Sequence, residues 1–468
     1  MPGKNMSNTD SQRSKRTLKV LLSAPMDRTF EKKVSVDALN DTGLGYLEAA
    51  CRRAKVDVTL LSWNVNLDMK AFQQKLLELQ PDVVGFKVFT TMFRESYNSL
   101  RCVRDTLADA ITIIGGPHPS TSRPEDLFIE FEGLIDFAMA GDGEQGIIEF
   151  LDQIRTADGK PKGHGLSKIP GLIYQNGDKI CFNKPCFDVE LDTLAPMDWS
   201  LQQPAWFGAS HGLDKTSIGA LISDSRGCPA KCGFCLSRII NGPKPRHRSL
   251  ELLCAEIEEL IHRYDVSVLV FTGNVFMSDA DYVKELCERI IRLDTPVKWS
   301  CTGSAYARNL KDPKLLNLMR RAGCDLIYFG IESGNPDVRK RLCQPVPLEE
   351  CIEIINLTAK AGIRPDCYFM FGFPDETIQE MNDTIKYAFS LPYSSVAFII
   401  CLPLPGTSSY KAVIEQQGIE RIDWSRYDFS NPTLLPCKAS PGQVHRKLFE
   451  AKVLKRSRLA RQLYRFIR

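Results

Sequence analysis

The stretch Asp224–Arg238, DSRGCPAKCGFCLSR, carries Cys228, Cys232 and Cys235 at the spacing C-x3-C-x2-C. Three thiolates from one loop can face a single cluster. A [4Fe–4S] cluster takes one cysteine per iron, so three cysteines leave one iron open to a small molecule. The other chemistry open to this spacing is a zinc site completed by a distant fourth ligand such as His247. Gly227 and Gly233 lie within the same loop and permit close backbone approach to cluster sulfurs.

The cysteines follow the apolar segment IGALISDS, which begins an alternating series. Further strands are predicted at 266–271, 297–303, 325–333, 365–372 and 395–406, with helices over 249–263, 279–293, 312–322, 348–361 and 377–390. Six β/α units are fewer than the eight of a closed barrel. They predict a partial (β/α)6 TIM barrel over 216–410, with the cysteine loop at the C-terminal end of its sheet, where α/β enzymes place their chemistry.

The amino-terminal half alternates in the same way. LKVLLSAP, VDVTLLSW (56–63), DVVGFKVF (82–89), AITIIGG (110–116) and DFAMAG (136–141) read as strands separated by helical patterns. This predicts a doubly wound, Rossmann-like α/β domain over 18–155. It has no G-x-G-x-x-G at its first turn, so a nicotinamide cofactor is not favoured. Candidate ligand contacts lie where strands end: Thr90 and Thr91, then Gly115, Gly116 and His118, then Gly141 and Glu144. Residues 1–17 read as a polar tail, 156–215 as a linker with a small Asn-Gly hairpin, and 411–468 as a helical extension.

The totals set bounds on these readings. The 468 residues suffice for two or three domains, and the net charge of +3 argues for no particular polyanionic partner. Sixteen cysteines are scattered mostly singly, several of them (Cys51, Cys254, Cys287, Cys351) inside helical patterns where a free thiol acts as a small hydrophobe. The amino-terminus lacks the apolar core of a signal peptide, and no apolar run approaches a membrane span. A reducing cytoplasm is the expected compartment.

Four motifs in order give the second half a family resemblance. They are the cysteine loop with Phe234 before its third cysteine, FGIESGN (329–335), FGFPDET (371–377) and PLPGTSSY (403–410). Together they resemble the radical S-adenosylmethionine (SAM) enzymes. In that family the amino and carboxylate groups of SAM chelate the open iron, and reductive cleavage yields a 5′-deoxyadenosyl radical. The resemblance implies Cys228, Cys232 and Cys235 as cluster ligands, Phe234 against adenine, Glu332 and Ser333 at the ribose or amino-acid end, and Gly372 in the SAM pocket. One departure stands out. Relatives usually carry acidic residues after the second barrel strand, whereas this chain has Thr272, Gly273 and Asn274. Asn274 offers a carbonyl acceptor and no charge.

A doubly wound domain before such a barrel is similar to the cobalamin-binding domain of B12-dependent radical SAM enzymes. The strand-end residues named above then become cobalamin contacts. The D-x-H-x-x-G motif that supplies a lower axial histidine elsewhere is absent, so cobalt is expected without a histidine from that loop. The combination implies methylation of an unactivated carbon in a biosynthetic intermediate. It also implies a small-molecule substrate and an external electron donor such as flavodoxin, ferredoxin or a dedicated reductase. Relatives sharing these parts include radical cyclases, ring-contracting enzymes and aminosugar dehydratases. An iron- or redox-sensing binding protein is the reading from another class, and the motifs GIESGN and GFPDET argue against it because a sensor needs no SAM pocket.

Other features read as ordinary. The cluster Arg246, His247 and Arg248 precedes a helix and reads as its solvated start. The carboxyl-terminal basic helix interleaves Leu448, Phe449, Val453, Leu459, Leu463 and Phe466, and reads as a packed cap with its charges in water rather than a nucleic-acid site. Trp199 and Trp206 fit either a core or a pocket wall.

Overall fold

The structure, a computed structural model, describes residues 17–25, 41–62, 68–156, 165–202, 205–206, 217–303, 307–344, 346–392, 395–418, 422–427 and 437–456. The expected tail lies outside this set apart from its last residue.

The first sheet contains β1 (Lys19–Ala24), β2 (Asp57–Ser62), β3 (Val83–Lys87), β4 (Ile111–Gly115), β5 (Phe137–Met139), β6 (Leu172–Asn176) and β7 (Lys179–Phe182). Its spatial order is β2-β1-β3-β4-β5-β6-β7. Strands β1 to β5 are parallel, and β6 and β7 continue the sheet antiparallel. The order reverses between β1 and β3, which makes the crevice above their carboxyl ends the natural ligand site. Helices cover both faces, so β3 and β4 are buried along nearly their whole length. The hairpin β6–β7, expected within a linker, extends this sheet instead. Its apolar residues Leu172, Ile173 and Tyr174 complete the two cores on either side.

The second sheet contains β8 (Ala205–Trp206), β9 (Ile218–Ile222), β12 (Val266–Phe271), β13 (Lys298–Thr302), β14 (Cys324–Glu332), β15 (Arg364–Phe371) and β16 (Ser395–Ile400). A two-stranded ribbon of β10 (Ser225–Arg226) and β11 (Arg246–His247) stands beside it. Strands β9 and β12 to β16 lie in sequence order and are all parallel, which is the expected six-unit partial barrel. Strand β8 adds an antiparallel edge to β9. Trp199 is fully buried in the barrel core, with its indole N–H donating to Glu256 at 3.0 Å, and so it is not a pocket wall. The side chain of Trp206 lies outside the described residues.

The carboxyl-terminal extension serves both domains. Trp424 and Tyr427 pack into a core of the first sheet, and the Trp424 indole donates to Glu130 at 2.6 Å. The helix Pro441–Arg456 packs on the barrel through Val444, Leu448, Ala451 and Leu454. Phe449 and Val453, expected to pack in this cap, point outward instead, because they fall on the opposite side of the helix. Leu459, Leu463 and Phe466 lie outside the described residues.

Candidate active site

The cysteine loop leaves the end of β9 and is held by backbone bonds to three distant segments. Cys228 N donates to Gly242 O at 3.0 Å, Gly233 N donates to Leu342 O at 3.2 Å, and Gly233 O accepts from Ser409 N at 3.0 Å. Gly227 has φ +88, and a Cβ there would fall 2.0 Å from the Lys244 carbonyl. This position therefore needs glycine to let the loop turn. Cys228 and Cys235 are close enough to act on the Cys232 thiol, though among the described residues no three ligating side chains are already set around one metal position. Burial, with the neighbouring thiols Cys235 and Cys228, pushes Cys232 up to about 12. Iron must therefore displace a proton to bind Cys232 as thiolate. His247, the fourth ligand of the zinc alternative, lies on β11 with Nε2 at 2.7 Å from Ser278 Oγ and its ring against Tyr282. Its Nδ1 is buried without a hydrogen-bond partner, and the charged groups acting on the ring are Asp224 and Asp279, none of the three cysteines.

The SAM end gathers at the carboxyl ends of β14 and β15. The ring of Phe234 lies 5.7 Å from that of Phe373, next to Gly372 at φ +91. Glu332 sits at a β-bulge in the β14–β15 ladder with φ +69. The bulge turns its carboxylate toward the barrel mouth, close enough to raise the Cys232 thiol. Burial pushes Glu332 up to about 7, against the nearby Arg339. Arg308, a basic residue that could have paired with Glu332, is bonded to Glu350 at 2.9 Å. We expect Glu332→Gln to retain the cluster and the melting temperature while weakening SAM binding about tenfold, or ~1.4 kcal/mol. Unchanged affinity with a lower melting temperature would make the residue structural.

Ser333 departs from expectation. It is fully buried, its hydroxyl lies 3.1 Å from Thr384 Oγ1, and it accepts from Asn335 N at 3.2 Å. It shapes the turn after β14. Glu376 has the converse history, a residue inside FGFPDET whose role sequence reasoning did not single out. Its Oε2 accepts from Gly372 N at 2.7 Å and Phe373 N at 3.1 Å, and its Oε1 is buried without a partner. It fixes the loop on which Gly372 and Phe373 sit.

A cavity of about 350 Å³ lies between the two domains. One wall comes from the first sheet, with Leu22, Lys87, Gly115, Gly116, Gly141 and Glu144. The other comes from the barrel, with Ser223, Ser225, Arg226, Thr272 and Asn274. Thr272 and Asn274, expected at SAM, thus face the side where the domains meet. Gly273 lies behind them. A Cβ there would fall 2.5 Å from both oxygens of Asp224, whose Oδ1 accepts from Gly273 N at 2.9 Å. A buried carboxylate therefore does stand at this loop, supplied by β9's end rather than by the loop itself.

The cavity fits a large ligand pressed against backbone. A Cβ on Gly115 would meet only Met139 O at 3.8 Å, so a side chain there would enter the cavity. Glu144 Oε2 is buried without a partner. These features suit cobalamin held by the first domain. Thr90 and His118, expected among the cobalamin contacts, do not line the cavity. His118 is fully buried, with Nδ1 3.1 Å from Thr90 Oγ1 and Nε2 3.3 Å from Glu130 Oε2, enclosed by Phe93, Phe131 and Trp424. Thr91 is half-buried on the same short turn and does not line the cavity. We expect the Co(II) form of the corrinoid-loaded protein to give an electron paramagnetic resonance spectrum without nitrogen superhyperfine splitting from a protein histidine. Such splitting would place His118, or another histidine, on the metal.

An ion network that sequence reasoning missed joins the domains beside this cavity. Arg226 donates to Asp142 at 3.1 Å and Glu144 at 2.5 Å, and Arg246 donates to Asp142 at 2.9 Å. Arg226 also stacks over Tyr46, 5.3 Å from its centroid. Burial would raise Glu144, yet the Arg226 guanidinium outweighs it and holds the carboxyl below its usual range. Arg248 is buried and paired with Glu256. Arg246 and Arg248 are therefore internal ties and not a solvated helix start.

The two sheets, the cysteine loop and the cavity between them define a radical SAM enzyme with an amino-terminal B12-binding domain, and the chain belongs to that class. The Radical SAM superfamily model matches residues 222–388, and the B12 binding domain model matches 34–151. An uncharacterised methyltransferase of Pyrococcus horikoshii is 26% identical over 428 residues, covering 90% of this chain and 88% of that one. An anaerobic magnesium-protoporphyrin IX monomethyl ester cyclase of Rubrivivax gelatinosus is 24% identical over 405 residues, covering 86% and 70%. Among solved structures, the radical SAM methyltransferase TsrM of Kitasatospora setae, with cobalamin and a [4Fe-4S] cluster bound, superposes with a TM-score of 0.67 at 19% identity. The superposition covers 87% of this chain and 76% of that one, and at that identity it speaks to fold. No helix among the described residues is long and apolar enough to cross a membrane.

Proposed function

We propose that this protein methylates an unactivated carbon of a small biosynthetic intermediate, drawing on cobalamin, a [4Fe–4S] cluster and SAM. The observation that carries the reading is the single cavity walled by both domains, which brings the B12 side within reach of the barrel mouth. When bound, the cluster supplies the electron that cleaves SAM, and cobalamin supplies the methyl carrier. The chain's own residues position and exclude. Cys228, Cys232 and Cys235 hold the cluster. Phe234 and the Gly372–Phe373 turn form an apolar seat for adenine. Glu332 accepts hydrogen bonds from the ribose or the ammonium, which as charge-assisted bonds contribute roughly 1.5–3 kcal/mol each. Gly115 and Gly116 let a flat macrocycle approach β4, and Thr272 and Asn274 form the wall opposite it.

An external one-electron donor of the flavodoxin or ferredoxin kind, in a reducing cytoplasm, completes the scheme. The cyclase relative favours a second reading, radical ring closure with the same parts. One experiment separates them. The protein is reconstituted anaerobically with iron, sulfide, cobalamin and reductant, then given SAM and small-molecule extracts. Methylation yields S-adenosylhomocysteine and 5′-deoxyadenosine in equal amounts, with a methylated product detected by mass. Deoxyadenosine alone, with no methylated product, would favour cyclisation. Neither product would overturn both readings.

A further inference from the structure

Glu332 stands at φ +69, in the left-handed region that a residue with a Cβ seldom occupies unless its surroundings require it. The bulge is the cause. In the β14–β15 ladder Gly330 pairs with Tyr368 and Glu332 with Phe369, so Ile331 is passed over. A bulge leaves its extra residue outside the ladder, and a buried carbonyl there needs another donor. Two donors meet Ile331 O: Ser333 N at 2.8 Å, and the guanidinium of Arg339 through Nη1. The Nη2 of Arg339 donates to Val346 O and, at 3.8 Å, to Cys351 Sγ. Arg339 belongs to the short helix Pro336–Arg341, and Leu342 at that helix's end accepts from Gly233 N of the cysteine loop at 3.2 Å. One helix thus ties the bulge to the loop that carries the cysteines.

Arg339 is 5% exposed, and the groups that take its donors, two carbonyls and a thiol, are neutral. Burying a guanidinium is expensive, and a neutral donor could brace a carbonyl at lower desolvation cost. The charge finds its use at Glu332, where burial works against ionisation and Arg339 works for it. We propose that Arg339 is the positioning residue for Glu332, holding Ile331 O so that the bulge aims the carboxylate at SAM. The planar fork suits this task, because a lysine ammonium cannot present fixed donors to two carbonyls at once. The inference rests on the reading above in which Glu332 meets SAM.

The test is a double-mutant cycle on the full chain with its cluster loaded and no reductant added, so that SAM binds without being cleaved. SAM affinity is read by equilibrium dialysis for the parent, Arg339→Gln, Glu332→Gln and the double variant. Arg339→Gln is expected to weaken SAM binding about fivefold or more, which is within the coupling seen for residues in contact. In the Glu332→Gln background the same change should cost less than about twofold, since the group it positions is already lost. Arg339→Lys should fall between the parent and Arg339→Gln, and it carries the cycle if Arg339→Gln does not fold. Parent-like SAM binding by the Arg339 variants would overturn the proposal. So would the same fold loss in both backgrounds, which would make Arg339 a brace for the fold alone. Either result, with Glu332→Gln still weakened, leaves the Glu332 reading standing. Glu332→Gln binding SAM like the parent would overturn that reading and this inference with it.

Discussion

A chain with Cys228, Cys232 and Cys235 all replaced by alanine is expected to fold, to hold almost no iron, and to release no 5′-deoxyadenosine from SAM. The loop keeps its course through backbone bonds to Gly242, Leu342 and Ser409, which alanine leaves in place. The thiols themselves make few polar contacts. Among them, the Cys235 sulfur accepts from Ser237 N at 3.5 Å and donates to Ser237 Oγ at 3.3 Å. Circular dichroism and a melting curve close to the parent's, together with loss of iron and of the cluster's visible absorbance, would be the expected pattern. A full iron complement with SAM cleavage intact would remove the triad from the site.

Arg226→Ala should be the most destabilising single change at the domain junction. Removing the guanidinium leaves Asp142 and Glu144 buried together, with Arg246 reaching only Asp142. Breaking a buried pair in this way costs about 3–5 kcal/mol. The pH dependence has a definite sign. Without Arg226 both carboxyls rise, so the variant pays most where they would be ionised. The gap between parent and variant should be widest near neutrality and narrow as pH falls and the acids protonate. Chemical denaturation across that range checks both parts. Arg226→Ala combined with Glu144→Gln should recover part of the loss. A uniform gap at every pH would assign the effect to lost packing on Tyr46.

Much of the frame was legible because apolar runs and glycine punctuation mark it. Strand β12 occupies the predicted 266–271, β13, β14 and β15 differ by one residue at each end, and β9 and β16 stop short, β16 at Ile400 where 406 was predicted. The cysteine spacing and the FGFPDET turn carried the site for the same reason, since local motifs fold locally. What sequence reasoning lost was long-range. Arg226 and Asp142 are 84 residues apart, and Arg246 and Asp142 are 104 apart. Each sits in a polar segment that reads as solvated. His118 follows a Gly-Gly-Pro turn and looks accessible, yet Thr90, Glu130 and Trp424 close over it. The neutral Thr272-Gly273-Asn274 loop concealed a carboxylate because Asp224 arrives from the neighbouring strand. On the last helix, periodicity marked the apolar residues but not that Phe449 lies off the buried face that Leu448 occupies.

The bond from Trp424 to Glu130 spans 294 residues. With Tyr427 beside it, that indole fills part of the first domain's interior, so the domain made first during synthesis is finished last. Its aromatic pocket around Phe93, Phe131 and His118 must wait, partly open to water, while the whole barrel emerges from the ribosome. Closing so distant a contact is slow, and unfilled apolar surface in the interval invites misassociation. A chain cut before residue 424 would leave that pocket permanently unfilled, even with every cofactor-facing residue of both domains present.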